Sequence, residues 1–279
     1  MKATPLFLGI STLVFSSLSM SAFAATADDT AALKAAIDHP IRSSANKARD
    51  EYRHPLETLS FFEVTPKSTV VEVSPGGGWY SEILAPLLQQ QGQYYAAHQP
   101  ADAKSEYAQK SLAAYKAKLA ADPVYSKVTI TGFAPVAGHK IAPDGSADVV
   151  VTFRNLHNWY MQKGDESLLN AYKSFYAALK PGGVLGVVEH RLPENKLSTK
   201  WQDSGYMPQS LAVKLAEEAG FVLEATSEVN ANPRDTADHK NGVWALPPTL
   251  GNKETDKAKY LAIGESDRMT LKFRKPKAQ

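Results

Sequence analysis

The stretch that most constrains the fold is Val70-Val71-Glu72-Val73-Ser74-Pro75-Gly76-Gly77-Gly78-Trp79-Tyr80-Ser81. Residues rich in β-branching run into a glycine turn, and Ile83, Leu84, Leu87 and Leu88 follow at helical spacing. The segment therefore reads as buried strand, tight loop and helix. Glycines let a backbone approach a ligand that a Cβ would hold away, beside the free amides of a helix N-terminus. That is the shape of a nucleotide-type site. A dinucleotide fingerprint would need glycine at Ser74, Gly76 and Trp79, and tryptophan does not fit where helix and strand pack closely. A phosphate-gripping loop would need a Gly-Lys-Ser/Thr triplet, and none follows.

Periodicity alternates around this unit. Ser44 is expected to cap a helix through Asn46 to Arg53, and Pro55 to restart a helical piece carrying Leu56, Leu59 and Phe62. Further strands are expected at 93–97, 127–133, 147–153, 184–189, 221–229 and 269–274. Helices are expected at 102–121, with Tyr107, Leu112, Tyr115 and Leu119 on one face, and at 165–179 and 209–219, with a short one near 256–262. Strands alternating with helices imply a single α/β domain with a mostly parallel, doubly wound sheet.

Met1 to Ala24 holds one cation, Lys2, an apolar run from Leu6 to Met20 and the triplet Ala22-Phe23-Ala24. This is the pattern of a signal peptide cleaved after Ala24, which predicts a periplasmic or secreted protein. The run contains serines and falls short of the roughly 20 residues of a membrane span, so no stable membrane insertion is expected after its removal. An N-terminal arm over 25–45 and one domain over 46–279, with a lid-like insertion at 230–267, complete the expected layout. The chain has no cysteine, which excludes disulfides, thiolate metal ligands and a cysteine nucleophile. Its 31 lysines and arginines against 29 acidic residues give no electrostatic case for a nucleic-acid partner.

With Glu72 on the strand and Ser74, Gly76 and Gly78 at alternate positions, the loop resembles the first motif of the class I S-adenosylmethionine-dependent methyltransferases, serine replacing the first glycine. The Leu179-Lys180-Pro181-Gly182-Gly183 turn and the two terminal strands resemble that family too, over about residues 46 to 275. Phe153-Arg154-Asn155-Leu156-His157-Asn158-Trp159 and Glu265-Ser266-Asp267-Arg268-Met269 are similar to an exported group of predicted methyltransferases. The resemblance implies a Rossmann-like sheet of about seven mostly parallel strands with an antiparallel terminal strand. It implies S-adenosyl-L-methionine as cofactor and an unidentified small-molecule methyl acceptor. The alternative is a non-catalytic, exported ligand-binding protein that kept the fold.

Ligands in such sheets bind outside the carboxyl ends of the strands. The residues expected to bind the cofactor there are Glu72, Ser74, Pro75, Gly76, Gly77, Gly78, His98, Phe133, Arg154 and Asn155. His98 stands where the family usually has an acid for the ribose hydroxyls, and a neutral imidazole can accept only one such bond. Phe133 stands near the usual adenine partner and offers a ring face alone. His157, and after it His190, are the candidates for taking a proton from the acceptor, because imidazole titrates near neutral pH. No metal is expected, since His-x-x-x-His and His-Glu-x-x-His spacings are absent. Trp244 either covers the ligand or anchors the long loop, and Arg53-His54-Pro55 is a candidate for the opposite wall.

Overall fold

The computed structural model describes residues 26–197 and 200–277, so the expected signal peptide at 1–24 lies outside the described residues. Helix α1 (Ala27–Asp38) opens with a capping box at Thr26 and buries Leu33 and Ala36. Three short helices follow, α2 (Ser44–Lys47), α3 (Asp50–Arg53) and α4 (Pro55–Phe61). Ser43, one residue before the expected cap, accepts the Asn46 N–H, and left-handed His54 separates α3 from α4.

The central chain then runs β1 (Thr69–Val73), α5 (Ser81–Leu88), β2 (Gln93–His98), α6 (Glu106–Ala120), β3 (Val128–Gly132) and β4 (Ala147–Phe153). It continues through α7 (Leu156–Lys163), α8 (Asp165–Ala178), β5 (Leu179–Leu192), β6 (Met207–Pro208), α9 (Gln209–Glu218), β7 (Val222–Ser227), α10 (Lys257–Ile263) and β8 (Arg268–Arg274). The seven-strand path is β3-β2-β1-β4-β5-β8-β7, with two-residue β6 attached to β5 off it. Strands β1 to β5 pair in parallel, and β8 lies antiparallel to both β5 and β7. This is the Rossmann-like sheet with an antiparallel terminal strand.

Period-two alternation sorts the central strands into two cores. Val71, Val73, Val150, Leu185 and Val187 meet α7, α8 and α9 through Leu156, Trp159, Tyr172, Phe175 and Leu215. Val70, Val149, Val151, Val184 and Val188 face the other way, onto Leu33, Leu59, Phe62, Ile83 and Leu84. The approach is closest at Gly186 in β5, where an added Cβ would lie 2.4 Å from the Phe62 ring.

Three local expectations change. Tyr107 is 76 % exposed, whereas Leu112 and Tyr115 are buried as expected, because with about 3.6 residues per turn Tyr107 lies off the stripe that Leu112, Tyr115 and Leu119 share. The polar run after β4 folds immediately into α7, and the Lys180-Pro181-Gly182-Gly183 turn is absorbed into a long β5. Strand order reverses between β1 and β4, and that crevice positions the site.

Candidate functional site

At the end of β1 the backbone is left-handed at Ser74 (φ 56°), Gly76 (φ 58°) and Gly78 (φ 79°). The Ser74 N–H donates to the Ala97 carbonyl at 2.8 Å and that of Gly78 to Pro75 at 2.9 Å, which fixes the loop against β2. A Cβ on Gly76 or Gly77 would meet nothing within 4 Å, so both peptides face open space. Gly78 does the opposite, fitting tightly under Tyr115 and Ser81.

Arg154 ends β4 beside this loop, also left-handed at φ 60°, its N–H donating to Val188 O at 2.6 Å. Asn155 spans the crevice: its Nδ2 reaches the Val73 and Ser74 carbonyls at 3.3 Å each and Thr152 Oγ1 at 3.1 Å. Between the two strand ends lies a cavity of about 320 Å³. Glu72, Ser74, Pro75, Gly76, Gly77, Arg154 and Asn155 line it, which brings together seven of the residues expected from sequence. Asn46, Arg49, Trp79, Tyr80 and Phe153 were not expected there, and Arg53 joins them from α3. Asn46 and Arg49 come from the short helices ahead of β1, whereas Trp79, Tyr80 and Phe153 adjoin the glycine loop and the end of β4.

Glu72 is buried, with Tyr94 Oη and Ser81 Oγ donating to its Oε2, the latter at 3.1 Å. Burial pushes its carboxyl up to about 7, against the pull of those two hydrogen bonds. His98 is also committed internally. Gln99 N–H donates to its Nδ1 at 2.7 Å, which assigns the proton to Nε2, 3.2 Å from Gly76 O. Its single acceptor position is thereby used, and it works as a strut between β2 and the glycine loop. Burial lowers its pKa. Phe133 does not line the cavity: at 4 % exposed, it packs on Trp159 and Phe175.

A second centre lies at the ends of β4 and β5. His157 Nδ1 is 2.9 Å from Glu189 Oε1, and the fully buried carboxylate also accepts the His190 N–H at 2.7 Å and the His157 N–H at 3.3 Å. A carboxylate only accepts, so the His157 proton sits on Nδ1 and its Nε2 carries the lone pair. His190 Nδ1 meets Ser266 Oγ at 2.5 Å, and that oxygen takes the Arg268 Nε–H at 3.3 Å. These partners leave the serine proton for His190 Nδ1, so His190 presents Nε2–H. The two rings are 5.3 Å apart, one a proton acceptor and the other a donor.

Burial, then His157 and Arg268, lowers the His190 pKa well below the ordinary imidazole value. Ligating atoms of His157, Glu189 and His190 lie within 4.8 Å of one another, a grouping that the sequence spacing concealed. Arg268, Arg154 and Arg53, whose charges reach His190, oppose a cation here.

Glu265 ties the centres together. It accepts Arg49 Nε at 2.6 Å and pairs with Arg268, and although burial pulls its carboxyl up, Arg268, Arg49 and Arg53 hold it down to about 2. Between β7 and β8, Asp235 accepts bonds from Tyr206 Oη (3.0 Å), His239 Nε2 (2.9 Å) and the Asp267 N–H (2.8 Å). That segment brings Trp244 to 6.2 Å from the His157 ring. A larger open groove of about 740 Å³ runs beside α9 between Arg191 and Lys214, lined by none of the residues expected for cofactor or catalysis.

No protein-family model and no curated protein sequence matches the chain. Solved structures do. An S-adenosylmethionine-dependent methyltransferase from Aquifex aeolicus is 15 % identical, with 88 % of this chain and 98 % of that one covered and a TM-score of 0.53. The cyclase SpnF is 17 % identical over 90 % and 94 % of the two chains, with a TM-score of 0.56. One is described by methyl transfer and the other by cyclisation, so the likeness carries architecture and leaves chemistry to the site. The chain has the class I methyltransferase-like fold, with its crevice, glycine loop and polar strand ends at the topological switch point.

Proposed function

We propose that the protein is an S-adenosylmethionine-dependent methyltransferase acting on a small molecule. The observation that carries this reading is the loop from Ser74 to Gly78, left-handed at three positions and open above Gly76 and Gly77, at the β1/β4 switch point. The cradle fits a cofactor held largely by backbone, as Gly76 and Gly77 leave room that side chains would fill. When bound, the cofactor supplies an electrophilic methyl group on a sulfonium. Glu72, with Ser74 to Gly77 and Asn155, would hold it.

His157 takes the acceptor's proton at Nε2, with Glu189 fixing the tautomer, while His190 Nε2–H orients the acceptor by a hydrogen bond. Trp244, close to His157, closes the site from the 230–267 segment, which serves as a lid. The opening 24 residues direct export, so the enzyme works in the periplasm or outside the cell. N-terminal sequencing of the exported protein tests this, and a start other than Ala25 counts against it.

Calorimetric titration with S-adenosylmethionine and S-adenosylhomocysteine tests the main reading. Binding to the native state must raise the melting temperature. The absence of both heat and thermal shift at millimolar ligand would exclude it. One observation favours a non-catalytic binding protein: His98, at the usual ribose position, spends both ring nitrogens on the loop. Binding without any conversion to S-adenosylhomocysteine, across a panel of acceptors, is the outcome that reading requires.

A further inference from the structure

The Arg53 side chain is 3 % exposed, lines the cavity, and has no hydrogen-bond acceptor for its Nε or Nη1. Glu265 Oε2 lies 3.7 Å from Nε, near enough for attraction and too far for a hydrogen bond. Arg154, on the opposite wall, donates no side-chain hydrogen bond to any of the described residues. Arg53 feels the charge of Arg154. Burial, then Arg154, pushes Arg53 down to about 8, and burial, then Arg268, pushes Arg154 down to about 10. Guanidinium does not give up its proton in proteins, so both groups stay charged in a buried setting where an anion would be a favourable partner.

Arg49, Arg53, Arg154 and Glu72 line the cavity, Arg268 and Glu265 are charged neighbours behind it, and Glu72 is half neutral near pH 7. The excess is at least two positive charges. The cofactor of the proposed reaction does not cancel it, because its sulfonium and ammonium outnumber its one carboxylate.

We propose that the methyl acceptor is an anion, a small molecule bearing a carboxylate or phosphate, and that Arg53 and Arg154 grip its oxyanion in this cavity. This rests on the methyltransferase reading. Two planar guanidiniums on facing walls suit an oxyanion, since each offers a fork of N–H donors. Arg49, already tied to Glu265, adds field at the cavity edge without surrendering a hydrogen bond.

The test is calorimetry with inorganic phosphate at low ionic strength, on the mature protein alone and saturated with S-adenosylhomocysteine. One phosphate is expected to bind in both states, with at least tenfold weaker binding in Arg154→Gln and in Arg53→Gln. Melting curves taken alongside identify a variant that fails to fold, and Arg53→Lys, which keeps charge and loses the fork, then replaces Arg53→Gln with an intermediate loss expected. No phosphate binding by the wild type overturns the proposal, as does wild-type affinity in the folded variants. Expulsion of phosphate by S-adenosylhomocysteine overturns it too, by assigning the guanidiniums to the cofactor's carboxylate. Phosphate binding by a protein that never binds S-adenosylhomocysteine upholds the anion site and sinks the methyl-transfer reading instead.

Discussion

Ser74 and Arg154 follow the carboxyl ends of neighbouring strands β1 and β4, and both are left-handed, at φ 56° and 60°. Asn155 bonds to the Ser74 carbonyl, so the two turns hold each other. Side chains other than glycine resist this conformation by roughly 1–2 kcal/mol per residue. Strained residues at a switch point mark where backbone geometry was kept at the expense of stability.

Replacing Ser74 by glycine should relieve one of these turns. The gain in the folded state is partly offset by the greater freedom of an unfolded glycine, which leaves a net stabilisation of about 0.5–1 kcal/mol. Thermal denaturation should show a rise of about 2 °C. A fall in melting temperature would mean that the serine hydroxyl contributes more than the strain costs.

The pair Gly186 and Phe62 makes the reverse prediction. A Cβ at position 186 would sit 2.4 Å from the ring, inside a filled core, so Gly186→Ala should destabilise by about 1–3 kcal/mol. Phe62→Leu in the same chain should recover part of the loss, as measured by urea denaturation. Additive losses in the double variant would show that the ring is not what the methyl meets.

Buried Glu72 and half-buried His190 drive stability in opposite directions with pH. Glu72 is raised to about 7 from 4.5, so its contribution is present in acid and is lost as pH climbs through that window, by at most about 3 kcal/mol. His190 is depressed below 6.5, so its contribution is full above that value and fades as pH falls. Glu72→Gln should therefore gain melting temperature over the wild type at pH 8 and lose that advantage towards pH 5. His190→Gln should flatten the acid limb below pH 6.5. Parallel curves for wild type and both variants would refute the assignment.

Glu189 should act on His157 through its tautomer. In the intact protein, nitrogen NMR should find the His157 proton on Nδ1, and Glu189→Gln should redistribute it. With a responsive acceptor in hand, His157→Ala should lower kcat by about 10²–10⁴-fold, and Glu189→Gln should lower kcat more than it changes KM. Unchanged turnover in His157→Ala would remove histidine as the base.

The sheet was legible because its central strands are apolar on both faces and its glycines punctuate the turns. Tyr107 misled because helix geometry sets it off the stripe shared by Leu112, Tyr115 and Leu119, on the solvent side of α6. The glycine loop, Arg154 and Asn155 were legible since each abuts a strand end, and topology alone delivers them to one crevice. Arg53 was placed as a wall of the site from sequence, whereas Arg49 reaches that crevice only through the helices docked ahead of β1, a long-range contact with no local signature. The strand-end rule brings His157, Glu189 and His190 to one edge, but the contact of His157 Nδ1 with Glu189 depends on the register between β4 and β5. His98 was found by position and misjudged by role, because the Gln99 amide that occupies its acceptor belongs to the fold's own turn.

Trp79 has two cations over its ring, with the guanidinium carbons of Arg42 and Arg53 at 4.8 and 4.5 Å from its centre, and its indole N–H is held by Asn46 O at 3.1 Å. Charges that close to a ring face shift the energy of its excited state. Whatever draws Arg53 away or neutralises it therefore changes the colour of tryptophan fluorescence, so the protein carries an optical reporter of its own cavity.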